Sequence, residues 1–324
     1  MIQAKIFDSI INNNKSLANE IFINKRDQLD KIIGKSRLKN LFLELLELDN
    51  NEKKEFTELK KSTLIRNQII ISDVLYLSKK FRKFNIHHVF IKGAATLFQI
   101  KHSKALRYTS DIDVLIDIKD ISKLHVMFKT IGIEHSFDIY HDYINSKKNH
   151  TLESIKLNSG IFLDIHFRSS SPLDFNKCPY TKEFLNEYDV INEMNTKVNV
   201  LKMNHIYIFS QYQLFGRKEI NNSSSSIIDL ILIKKDYGNQ MTDINNSLLG
   251  NLKILELSSY WEALSSFDSC KLNKFKKKFV KNIFSDQRMP LSRKFMVVFL
   301  NMIYLKRSLK EKYGLKNKSK KITD

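Results

Sequence analysis

The sequence predicts an α+β protein in which a small mixed β-sheet core is flanked by N-terminal and C-terminal helical regions. Three observations carry this reading. Apolar residues ahead of Phe84 recur at helical spacing. Between His88 and Phe167, short β-rich runs alternate with turn signals and helical stretches. After about Val200 the helical spacing returns. The expected organisation is residues 1–84 as an N-terminal helical region, 85–200 as the α/β core, and 201–324 as a C-terminal helical region with a basic tail.

In the first region Ile70, Val74, Leu77, Phe81 and Phe84 step by four and three, which lines one helix face with apolar side chains. Lys79, Lys80, Arg82 and Lys83 occupy much of the other side as a solvated face. His88-Val-Phe-Ile-Lys92 reads as a short strand ending at Gly93, and Ala94 to about His102 reads as a helix. Asp111-Ile-Asp-Val-Leu-Ile-Asp117 alternates acidic and apolar residues, with Leu115 and Ile116 breaking the alternation, and suits a strand with one functional edge. Ile121, Leu124 and Phe128 set a helix over 118–131, with Gly132 as its C-cap. Thr151–Leu157 and Ile161–Phe167 read as strands joined at Asn158-Ser-Gly160, where Asn and Gly tolerate positive φ. Pro172 and Pro179 punctuate a loop, and Asn221–Ser226 is a polar loop between helices.

The chain has 324 residues and is 42% hydrophobic, enough for a substantial core. Its formal charge of +19 favours anionic partners, nucleic acid among them, although a sequence this rich in Lys, Asn and Ile would be basic whatever its function. Lysines from Lys271 to Lys281 and from Lys306 to Lys321 are the candidates for a phosphate-contact surface, or else a solvated tail. Cys178 and Cys270 have no metal-ligand spacing and fit a reducing compartment. The N-terminus lacks the apolar core of a signal peptide. No run reaches the roughly 18–20 apolar residues of a membrane span. Phe295–Leu305, the longest, reads as a buried helix. The expectation is a cytoplasmic protein with no membrane partner.

Three features of the core converge on chemistry. Lys92-Gly93-Ala94 joins strand to helix, where glycine lets a phosphate approach the backbone and the helix N-terminus offers free N–H groups. Ser110-Asp111-Ile112-Asp113 places two carboxylates on one strand face, because residues two apart point the same way. They would repel unless a cation lay between them, and Mg²⁺ favours one or two carboxylates together with phosphate oxygens. Asp164, in Phe162-Leu-Asp-Ile-His166, shares a face with His166 and Arg168 and could supply a third acid.

Lys92-Gly93, Leu106-Arg107, Asp111-Ile-Asp113 and Asp164-Ile-His166 together resemble the uncharacterised nucleotidyltransferase family of the DNA polymerase β-like superfamily. The resemblance implies a nucleotidyltransferase core that moves an NMP from an NTP to an acceptor hydroxyl by a two-metal mechanism. It implies that Asp111, Asp113 and Asp164 hold Mg²⁺ (Mn²⁺ as the alternative), that Asp164 helps deprotonate the acceptor, and that Gly93 opens the phosphate-binding turn. Lys92, Gly93, Ala94, Arg107, Ser110 and His166 are the candidate nucleotide contacts. Lys92 and Arg107 would offset triphosphate charge, or else be solvated. His166 would orient Asp164, contact phosphate or relay a proton, or else be structural. Ala94 stands where the superfamily has Ser, and the interval from Gly93 to Asp111 is longer than the superfamily's, implying a longer helix or loop there. The acceptor is left open among RNA, protein and small molecules. The other reading is a catalytically inactive nucleotide- or RNA-binding module. If the motif match were accidental, Asp164 would lie far from Asp111 and Asp113.

Overall fold

Six strands among the described residues form one mixed sheet in the order β3-β4-β2-β1-β6-β5. In chain order the elements are α1 (Lys15–Ile33), α2 (Lys39–Leu43), α3 (Asn50–Lys83), β1 (His88–Ile91), α4 (Lys92–Gln99), α5 (Ser103–Leu106), β2 (Asp111–Ile116), a 3-10 turn (Ile118–Asp120), α6 (Ile121–Thr130), β3 (Ile155–Lys156), β4 (Phe162–His166), α7 (Thr181–Asn186), β5 (Tyr188–Glu193), β6 (Thr196–Leu201), α8 (Met203–Gly216) and α9 (Ser224–Tyr237). This computed structural model describes residues 13–33, 39–133, 150–170, 178–216 and 224–237, with Ile6, Ser9 and Ile10. The chain separates into units Met1–Phe284 and Ser285–Asp324, and every described residue belongs to the first. Phe295–Leu305, Cys270, Pro172, 221–223 and both lysine-rich stretches lie outside the described residues.

α3 begins where the sequence provides a reciprocal cap. The Asp49 carboxylate accepts from the Glu52 amide at 2.8 Å, and the Glu52 carboxylate accepts from the Asp49 amide at 3.0 Å. Its apolar face buries Ile70, Val74, Leu77 and Phe81, as the spacing predicts, with Ile71 buried beside them and Phe84 only partly buried just past its end. Beyond its end, β1 runs antiparallel to β2 and parallel to β6. β4 runs parallel to β2, pairing Asp111 with Phe162, Asp113 with Asp164 and Leu115 with His166.

Covered faces explain the broken alternation of β2. Ile112, Val114 and Ile116 are buried on one face, and Leu115 is buried on the face that also carries Asp111 and Asp113. That second face opens toward its N-terminal end, where Asp111 is half-buried and its neighbour Phe162 is exposed.

The structure departs from the sequence reading in three places. The expected helix from Ala94 to His102 stops at Gln99, and the longer interval to Asp111 is filled by α5 and a loop. β5 and β6 form a hairpin where the sequence reading placed no strands. Its turn, Met194-Asn195, has positive φ of 47° and 56° without any glycine, so the usual turn signal is missing. The first strand of the predicted hairpin is short, only Ile155–Lys156 pairing with β4 and Thr151 making an isolated bridge to His166, while Gly160 does take a positive φ of 82°.

Truncating Ile112, fully buried behind the carboxylate face, removes packing from the strand that carries two acids. Ile112→Ala is expected to lower unfolding free energy by about 2–5 kcal/mol, read from urea denaturation.

Candidate active site

Register brings the three predicted acids together. Asp111 and Asp113 share a face of β2, and Asp164 is the direct parallel neighbour of Asp113 on β4. The accidental-match reading expects Asp164 far from the other two acids, whereas β4 places it beside Asp113.

Each acid already has a partner. Asp111 Oδ1 accepts from Ser110 Oγ at 2.8 Å, and Asp164 Oδ1 accepts from Ser154 Oγ at 2.5 Å. Asp113, only 3% exposed, takes two groups on one oxygen: its Oδ1 is ion-paired with Lys92 Nζ and bonded to His166 Nε2 at 2.7 Å. A carboxylate only accepts, so that second bond requires the proton on Nε2. Lys92 Nζ is also 3.2 Å from His166 Nε2.

These contacts push the two neighbouring carboxyls apart in acidity. Burial alone would raise Asp113, but the Lys92 charge and the His166 bond outweigh it and hold the group well below the usual carboxylate range. Burial pushes Asp164 upward; the Ser154 hydroxyl opposes this and the charges of Asp113 and Asp111 reinforce it.

The donor set suits a hard dication, with three carboxylates on one face. Among the described residues, however, no three acid, His or Cys side chains stand gathered around a common point. At Asp113 the charge is instead met by the Lys92 ammonium, which sits on Oδ1. Lys92 lies in the left-handed region at φ 50°, immediately after Ile91, the β1 residue paired with Asp113. It also lines a small cleft bounded by His150, Ser169, Ser170 and, from α8, Phe209 and Tyr212.

Arg107 corrects the sequence expectation. It is 3% exposed and faces Asp229 of α9, with Nε to Oδ1 at 2.5 Å and Nη2 to Oδ2 at 3.1 Å. A guanidinium committed to a buried bidentate pair is not displayed to a triphosphate. Its Nη1 donates to Thr109 Oγ1 at 2.9 Å. Gly93 is needed for this arrangement: a Cβ there would meet the Arg107 guanidinium and lie 2.8 Å from Thr109 Cγ2. Ala94 is fully buried and presents no surface to a ligand as the chain stands.

With this geometry the sequence comparison is informative. The profile of the uncharacterised nucleotidyltransferase family matches residues 26–243. The chain belongs to that family. No curated relative matches it. Among solved structures it is similar to an antigenic nucleotidyltransferase-like protein from Paracoccidioides brasiliensis, with 17% identity over 58% of this chain and 89% of the other and a TM-score of 0.30.

Other residues that shape this nucleotidyltransferase-family site escaped the sequence reading. From α3, Arg66 donates to the carbonyls of Thr109 and Ser110, both at 2.8 Å, and so fixes the approach to Asp111. Asn67 Nδ2 donates to the carbonyls of Lys104 and Arg107 at 2.8 and 2.7 Å. The signal for Asn67 was a polar residue within the buried stripe of α3. His150, read as an ordinary surface or core residue, sets its ring 5.3 Å from that of His166. Cys178 is buried and unbonded to another cysteine, and burial pushes its thiol up to about 11.

Asp229→Ala leaves the Arg107 charge buried without its counter-ion, and is expected to cost about 3–5 kcal/mol in urea unfolding. A pH test concerns Asp164. Because the fold raises its pKa, stabilisation from the protonated form is complete below the unfolded value of about 3.9 and is lost as pH rises through the folded value. Asn imitates the neutral acid at every pH. Asp164→Asn should therefore melt above the wild type near neutrality, with the difference shrinking as pH approaches about 4.

Proposed function

We propose that this chain transfers a nucleotide from an NTP to an acceptor hydroxyl, with Asp111, Asp113 and Asp164 holding Mg²⁺ or Mn²⁺. The observation that carries the reading is the register match of Asp113 with Asp164, beside Asp111 on the same face, in a member of a nucleotidyltransferase family. A bound dication would offset the charge of the triphosphate and of the crowded carboxylates.

The chain's own groups divide the remaining work. The acceptor oxygen attacks the α-phosphorus, the bond to the β-bridging oxygen breaks, and pyrophosphate leaves. The hydroxyl proton goes to the Asp164 carboxylate, the cross-strand neighbour of Asp113. Before any cation binds, Lys92 and His166 keep Asp113 ionised. Ser110 fixes the rotamer of Asp111. Arg107 acts at a distance by packing against Gly93 and holding Thr109. The basic composition makes RNA the favoured acceptor class.

One observation favours the second reading, a nucleotide-binding module without turnover: Lys92 neutralises Asp113. The two readings part in one assay. Purified protein is incubated with each α-labelled NTP, Mg²⁺ and total cellular RNA or lysate, and the labelled product is identified. Transfer is expected for wild type and lost, by at least about a hundredfold, in Asp111→Ala and Asp113→Ala. ATP or another NTP binding without any label transferred would instead support the binding module.

A further inference from the structure

Lys92 has no solvent-facing role in this fold. Its ammonium is paired with a carboxylate that is almost fully buried, and the residue adopts a left-handed backbone that a side chain disfavours. Asp113, whose Oδ1 it occupies, is the cross-strand partner of Asp164 and shares a face of β2 with Asp111. An isolated buried carboxylate in that position would be costly, and two further acids beside it increase the cost.

We propose that Lys92 is a built-in counter-ion that a divalent cation displaces from Asp113, and that the displaced ammonium turns toward the adjoining cleft. This inference rests on the reading of Asp111, Asp113 and Asp164 as metal ligands. Asp113 Oδ1 already takes both Lys92 and His166, so a dication drawn to this carboxylate competes with the ammonium for its charge. Lysine suits the task because its head is a compact charge on a flexible four-carbon stem. Lys92 already borders this cleft, and the hydroxyls of Ser169 and Ser170 on its wall are acceptors for an ammonium that swings toward it. A displaced Lys92 in the cleft would meet the anionic phosphates of an NTP. The metal-free site thus stays neutralised, and cation and triphosphate binding reinforce each other through one side chain.

The test uses full-length protein and Mn²⁺ alone. Lys92→Met keeps the stem and removes the charge. Mn²⁺ binding followed by electron paramagnetic resonance should be at least about tenfold tighter in Lys92→Met than in wild type. Lys92→Arg should bind no tighter than wild type. In wild type, acetylation of Lys92 followed by mass spectrometry should rise when Mn²⁺ replaces EDTA, with Lys123 and Lys202 unchanged, and this arm decides the matter if Lys92→Met does not fold. Equal or weaker binding by Lys92→Met, or a Lys92 acetylation rate indifferent to Mn²⁺ that wild type binds, overturns the counter-ion role while leaving the metal reading intact. No Mn²⁺ binding to either protein, with or without ATP, overturns both.

Discussion

A charged carboxylate in the middle of a covered β-sheet is tolerable only if its charge is met at once, and Asp113 is such a group. The Lys92 ammonium and the His166 ring meet it from two different elements, and both are themselves largely buried. The surrounding structure follows from that constraint. β1 must end next to Asp113 for Lys92 to reach it, β4 must run parallel to β2 for His166 to lie beyond Asp164, and α4 must start at once to carry the chain away. The electrostatic cost is confined to one end of one sheet face, where the neighbouring Asp111 and Phe162 are open.

A second buried charge supports the first from behind. Arg107 and Asp229 bring the distant α9 onto the start of α4, and two further contacts hold α9 to the end of α4 and the segment after it: Tyr237 Oη donates to the Gln99 carbonyl at 3.3 Å, and His102 Nδ1 lies 2.7 Å from Asp236 Oδ1. Gly93 therefore has a packing role whatever its part in phosphate binding. The absence of a side chain is what allows a guanidinium to lie against the first turn of α4. No described helix is long and apolar enough to cross a membrane.

Much of this was legible in the residues. Alternation revealed β2 and β4 because their period of two is written in acids against Ile, Leu and Val, and the same alternation put the three carboxylates on one face. The helical step of α3 was equally plain. What could not be read was pairing at long range. Arg107 carries no mark of Asp229, which lies 122 positions away, so a buried ion pair looked like an exposed phosphate ligand. Lys92 showed its charge but not its target. The β5–β6 hairpin escaped because Asn195 and Met194 make a left-handed turn that sequence patterns expect from glycine.

The separation of these partners along the chain has a kinetic meaning. Lys92 is 21 residues from Asp113, whereas His166 is 53 residues away. Closing the smaller loop costs less entropy, so the β1–β2 pair can form, with its opposite charges already matched, before β4 arrives with another acid. A nascent chain that docked β4 first would bring like charges together with nothing between them. The order of residues thus guards assembly of the sheet as well as its finished chemistry.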